Sequence, residues 1–312
     1  MERLTLMTTP VDSATARSMR RRTERGEFLR IGHGVSTPAQ AFRDASEAAR
    51  HRARIDAVLA ASRPGLIVSH ASAVVMHELP WFGPLPDRVA LTDPTRDRAQ
   101  RLRFSDKVPA RGRDVATVLI DGVETTDLVT TAIDVALRSD RGHALVVLDA
   151  VLRRGVDRHD LLAELESRPT RRGAQRVRAL LELADGRIES AGESLALLVM
   201  HDLGLPRPEL QHEFSVDGRC IARVDFWFPE QGVVVEFDGL VKYRAGEVRG
   251  ARTAEEVVIA EKFREDAVRA VPGVRGLARL IWREVLPGGD APSTLRRSGL
   301  PVPLASRTTP MW

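Results

Sequence analysis

Among 312 residues the chain has one cysteine, one tyrosine and three lysines. The lone Cys220 excludes an intramolecular disulfide and any multi-cysteine zinc site, and it suits a reducing compartment. It is expected to pack as a small apolar residue in a strand. One Tyr and four Trp argue against stacking on single-stranded bases, so duplex DNA is the better-matched nucleic acid. No apolar run approaches the length of a membrane span, and the opening MERLTLMTTPVDSATARS is broken by Thr, Pro and Ser. The expectation is a protein without membrane segment or leader, in the cytoplasm. HExxH, GxSxG, Walker A and GxGxxG are all missing. His70 and His77 share a helical face with no acid triad near them in sequence, which reads as satisfied histidines rather than a metal site. Nothing in the sequence fixes an oligomeric state.

What is present is arginine. Of 47 basic residues only Lys107, Lys242 and Lys262 are lysines, leaving 44 arginines. The net charge of +4 is mild, so arguments about partners rest on where charge clusters. One cluster lies in VDSATARSMRRRTERGEFLRIGHGV: a helix capped by Asp12 or Ser13, a stop at Gly26, and a hairpin from Glu27 to about Val35. Helix followed by hairpin is the second half of a winged helix, with GHGV as the turn of the wing. Arg17, Arg20, Arg21, Arg22 and Arg25 either lie against the phosphates of a DNA groove or form a solvated basic face over the thin stripe of Ala16 and Met19.

With 43% hydrophobic residues the chain can build two or three cores. Periodicity predicts a helix over 39–61, a short strand feeding a helix capped by Ser69, a strand over 87–92, and helices over 126–138, 142–154, 157–167 and 172–184. That middle reads as mainly helical. Beyond ADGR at 184–187 the order becomes helix, hairpin across Asp217-Gly218, strand, helix opened by Thr253, and strand, an α-β-β-β-α-β unit. The expected fold class is α/β locally and α+β overall. Its expected parts are a winged-helix-like module over 1–45, a middle domain over 46–186, an α-β-β-β-α-β domain over 187–290 and a loose tail over 291–312.

The stretch RVDFWFPEQGVVVEFDG (223–239) carries acids inside strongly apolar strands. Side chains two apart share a strand face, so Glu236 and Asp238 go with Val234, while Asp225 goes with Arg223 and Trp227. If the two strands adjoin, Asp225 and Glu236 converge near one end of the sheet. Buried like charges repel, and a divalent cation removes that cost; hard oxygen ligands suit Mg²⁺ or Mn²⁺. The competing reading is acids at strand ends that face solvent or pair with arginine.

The ordered set of a helix Glu, Asp225 in a hairpin strand, Glu-x-Asp-Gly closing the next strand, and a helix with Glu-Lys-x-Arg-Glu-Asp resembles the PD-(D/E)XK nuclease superfamily, and within it the very-short-patch-repair-like endonucleases, over about 187–285. The resemblance implies a restriction-endonuclease-like domain that hydrolyses phosphodiesters in double-stranded DNA. It implies Asp225 and Glu236, with Asp238 beside them, as metal ligands. Glu193 would be the helix acid, although Ser190 and Glu193 also form an S-x-x-E capping box. The superfamily's lysine position holds Asp238, leaving Lys242 and Lys262 to serve the attacking water and Arg264 and Arg283 to grip flanking phosphates. RGEFLRIGHGV, PGLIVSHASAVVMHELP and VETTDLVTTAIDVAL more loosely resemble AbiEi-type antitoxins and transcriptional regulators of type IV toxin-antitoxin systems. That likeness implies a toxin or other protein partner. Two functions follow: a Mg²⁺-dependent endonuclease, or a DNA-binding regulator with a degenerate nuclease fold.

Overall fold

The structure is a computed structural model that describes residues 3–9, 13–169, 172–216, 219–239 and 266–304. It is a mixed α/β fold whose described strands form three sheets. The chain divides into two compact units, one of residues 1–139 and 156–179, the other of residues 140–155 and 180–312.

The first unit opens with β1 (Met7–Thr8), α1 (Ser13–Glu24), β2 (Phe28–Gly32) and β3 (Val35–Pro38), joined in a sheet of order β1-β3-β2. Helix then hairpin is the expected order. α1 buries Met19, whereas Arg17, Arg20, Arg21 and Arg25 are exposed. Arg22 and Arg25 bracket Glu27 at 2.7 and 3.0 Å. The helix expected over 39–61 is two, α2 (Ala39–Asp44) and α3 (Glu47–Ala60), because Ser46 is extended and its hydroxyl accepts the Ala49 N–H to start a new helix.

The middle of the chain departs from the helical expectation. β4 (Ile67–Val68), β5 (Val89–Asp93), β6 (Gln100–Arg101), β7 (Ser105–Pro109), β8 (Thr117–Ile120) and β9 (Val123–Thr126) build a six-stranded sheet of order β6-β7-β5-β4-β9-β8. β4 and β5 are the strands expected before Ser69 and over 87–92; β6, β7, β8 and β9 are two to five residues long and partly polar, so each gives little periodic signal and is held by its ladder partners. Ile55, Val58, Val68, Val89 and Leu91 form a core beneath them. α4 (His70–Met76), α5 (Leu128–Arg138), α7 (Arg158–Ser167) and the first part of α8 (Ala174–Leu183) complete the unit. Asp127 and Asp157 cap α5 and α7 through their side chains.

The second unit takes α6 (Arg141–Arg153) out of the expected middle domain, because α6 packs with α9 (Ala191–Asp202). Asp149 of α6 accepts the Ser194 hydroxyl at 2.7 Å and the Asp185 N–H at 2.8 Å. β10 (Glu209–Val216), β11 (Arg219–Phe228), β12 (Val233–Asp238) and β13 (Gly276–Ile281) form a sheet in that order, parallel between β12 and β13 and otherwise antiparallel. Residues 266–269 are helical, and the rest of the helix expected from Thr253 lies outside the described residues. Phe226 and Phe228 are fully buried, and Phe214, Trp227, Val234 and Val268 form a core of their own. After α10 (Trp282–Val285), the segment expected to be loose forms α11 (Ala291–Arg297). It is anchored by buried Leu295, Leu300 and Val302, an apolar set too sparse to show a helical period. Cys220 lies in β11 as expected but is exposed rather than packed. Among the described residues no helix is long and apolar enough to cross a membrane.

Candidate functional site: a carboxylate cluster at the end of a mixed sheet

β11 and β12 pair as Phe228↔Val233, Trp227↔Val234 and Phe226↔Val235, and the ladder ends there. One step further would set Asp225 against Glu236. Instead the Asp225 carboxylate reaches across, and its Oδ2 accepts the Phe237 N–H at 2.8 Å. A side chain thus replaces the main chain as acceptor at the point where the strands part.

On the other side of β11 a bulge sets the register. Val216 faces Arg219 and Ser215 faces Cys220, but Phe214 faces Ala222, so Ile221 is an extra residue on β11. An uninterrupted hairpin would put Gln211 opposite Val224. The bulge moves Gln211 opposite Asp225, where its backbone turns to a φ of +50°. The Gln211 amide donates to Asp225 Oδ1 at 3.4 Å and to Glu193 Oε2 at 3.0 Å, joining the strand acid to the helix acid. Gln211 carries no motif, and only the bulged register reveals it.

Glu193 is held by the start of α9. Ser190 accepts the Glu193 N–H at 3.2 Å and donates its hydroxyl to Glu193 Oε1 at 2.7 Å, while the Glu189 N–H donates to Oε2 at 3.0 Å. Glu193 therefore caps the helix and, 6% exposed, stands beside Asp225. α9 comes this close because Gly192 has no side chain; a Cβ there would fall 1.8 Å from the Phe237 ring. Trp282 meets the same ring edge-to-face at 5.2 Å.

Burial pushes the Asp225 carboxyl up to about 7, the charges of Glu193 and Glu236 push the same way, and the Phe237 N–H and Gln211 amide oppose them. Glu236 is buried, with Arg279 Nη2 at 3.8 Å from its Oε2. That arginine comes from β13, on the side of β12 away from β11. Asp238 closes β12, partly exposed, opposite Ile281, and Arg283 is exposed on α10 just beyond. Lys242, Lys262 and Arg264 lie outside the described residues. Among the described residues no three His, Cys, Asp or Glu side chains stand close enough together to hold a metal ion as they are placed. The carboxylates of Asp225, Glu236 and Asp238 would offer hard oxygens, the donor chemistry that suits Mg²⁺ or Mn²⁺.

No family model matches the chain. Over 128 residues it is 40% identical to two Mycobacterium tuberculosis proteins, uncharacterized protein MT2308 of strain CDC 1551 / Oshkosh and uncharacterized protein Rv2248 of strain ATCC 25618 / H37Rv. The match covers 41% of this chain and 47% of each of those, so the chain spans about half the length of the curated relatives it matches. The crystal structure of RV2827C protein from Mycobacterium tuberculosis is similar at 20% identity and a TM-score of 0.35, over 59% of this chain and 69% of that one.

Proposed function

We propose that the second unit is a PD-(D/E)XK-like nuclease domain that hydrolyses phosphodiester bonds in duplex DNA with a divalent cation. The supporting observation is Asp225: a half-buried carboxylate at the opening of two strands, beside buried Glu193 and Glu236, in a place where gathered acids are costly. Asp225 and Glu236 would hold Mg²⁺ or Mn²⁺, with Asp238 at the rim of the same strand end. The bound ion would supply a water of lowered pKa and polarise the phosphate. Gln211 and Glu193 fix the Asp225 carboxyl through one amide, and Phe237 fixes its other oxygen. Arg283 on α10 is exposed where it can meet a flanking phosphate.

A second reading has its own support. Both Glu193 oxygens are engaged in capping, Asp238 stands where the superfamily carries its lysine, and α1 presents exposed Arg17, Arg20 and Arg21. On that reading the chain is a DNA-binding regulator of antitoxin type, with a toxin or other protein as partner. Plasmid nicking in Mg²⁺ against EDTA, with Asp225→Ala, separates the two. Cleavage lost in the variant supports the nuclease. Duplex binding without metal-dependent cleavage, weakening steeply with salt and less steeply after Arg17→Gln and Arg20→Gln, supports the regulator.

A further inference from the structure

The first unit contains a cleft of about 690 Å³ whose lining includes six arginines: Arg111, Arg113, Arg138, Arg168, Arg172 and Arg176. Its floor is Arg168, 6% exposed, which reaches Asp134 and Glu164 at 2.8 Å each. Glu164 Oε1 is shared with Arg113 at 3.4 Å. Among the described residues, Asp134 and Glu164 are the carboxylates that pair with Arg168 and Arg113, and Arg111 and Arg138 add further positive charge to the lining. Among the described residues the Arg168 Nε is buried without a hydrogen-bond partner, and so is the Arg176 Nε, although Arg176 Nη2 donates to Ala136 O at 2.8 Å. Burial first, then the Arg168 charge, holds Arg113 below the usual guanidinium range. His70, buried in the same lining with its Nδ1 3.7 Å from Asp134, is held below the usual imidazole range by burial, against the pull of that acid and with the push of Arg138, Arg168 and Arg113. It holds a left-handed φ of +54°, a conformation a non-glycine residue keeps only when its surroundings hold it there.

Partly buried guanidiniums with unmet donors are stabilised by an anion with several oxygens, and the planar fork of arginine matches phosphate. We infer that this cleft is a binding site for a di- or polyphosphate group, a function that does not rest on the reading of the carboxylate cluster. Arg168 forms the fixed floor, oriented by Asp134 and Glu164. Arg111 and Arg138, exposed on the rim and without a hydrogen bond or ion pair among the described residues, supply mobile donors.

The test is calorimetric titration of the full chain with pyrophosphate at physiological salt. Arg168→Gln would leave Asp134 buried and unpaired and unfold the floor, so the informative variant is Arg111→Gln with Arg138→Gln, both solvent-facing. Saturable pyrophosphate binding, weakened at least about tenfold in the double variant at unchanged Tm, is expected. Tighter binding of a nucleoside diphosphate than of pyrophosphate would identify a nucleotide as the source of the phosphates. Displacement of pyrophosphate by a duplex oligonucleotide would identify a nucleic-acid backbone. No saturable binding of pyrophosphate, or equal binding in the double variant, overturns the inference.

Discussion

Asp225→Asn isolates the cost of the half-buried acid. Asp225 has a folded-state pKa of about 7 against an ordinary 3.8, so between those values the folded chain binds a proton that the unfolded chain does not. Its contribution is therefore fully present below about pH 4 and is lost as pH rises through about 7. With about 1.4 kcal/mol per pKa unit, the folded protein should lose about 2–3 kcal/mol from this group between pH 5 and pH 8. The substituted asparagine does not titrate, and its side-chain oxygen can still accept the Phe237 N–H. The variant's stability relative to the native protein should therefore rise by about 2–3 kcal/mol over the same interval. Asp149, also pushed up to about 7 by burial, has the same sign of pH dependence, but it is present in both proteins and cancels in the difference. Urea titrations at pH 5 and pH 8, read by amide hydrogen exchange in β11 and β12, measure it. Mg²⁺ should restore stability at pH 8 in the native protein and not in Asp225→Asn. A difference between the two proteins that is the same at both pH values would refute the reasoning.

Two other substitutions probe the supports of the cluster. Gln211→Leu removes the amide shared by Glu193 and Asp225, so the Asp225 midpoint seen by NMR titration should move above its native value; an unchanged or lower midpoint would show that the bridge does not matter. Gly192→Ala places a methyl group within the Phe237 ring and should cost about 1–3 kcal/mol by thermal or urea unfolding, while a neutral result would mean that α9 can move away from β12.

Much of the architecture is legible locally. Capping residues before apolar periodicity locate α5, α7 and α9, because a side-chain oxygen on a free N–H is a local interaction. Asp217-Gly218 between alternating strands locates the β10–β11 hairpin by the same kind of rule. A comparable signal, missing from the helical reading of the middle, stands at Asp121-Gly122, where positive φ at both residues turns β8 into β9. The strand read over 87–92 is β5 and the short strand before Ser69 is β4, whereas β6 and β7 have no strong local signal. β6 spans two residues and exists because its neighbour satisfies its main chain.

Sequence by itself determined which residues bring acid and guanidinium chemistry: Asp225 and Glu236 in apolar strands, Glu193 in a capping box, and a large arginine content. Tertiary structure decided which of them meet. One extra residue at Ile221 moves Gln211 opposite Asp225, and a glycine lets α9 bring Glu193 to both. It also gathered His70, Asp134 and Arg168 from separate stretches around one cleft. Register and helix approach depend on contacts between residues far apart in the chain, and periodicity along one segment carries no information about those contacts.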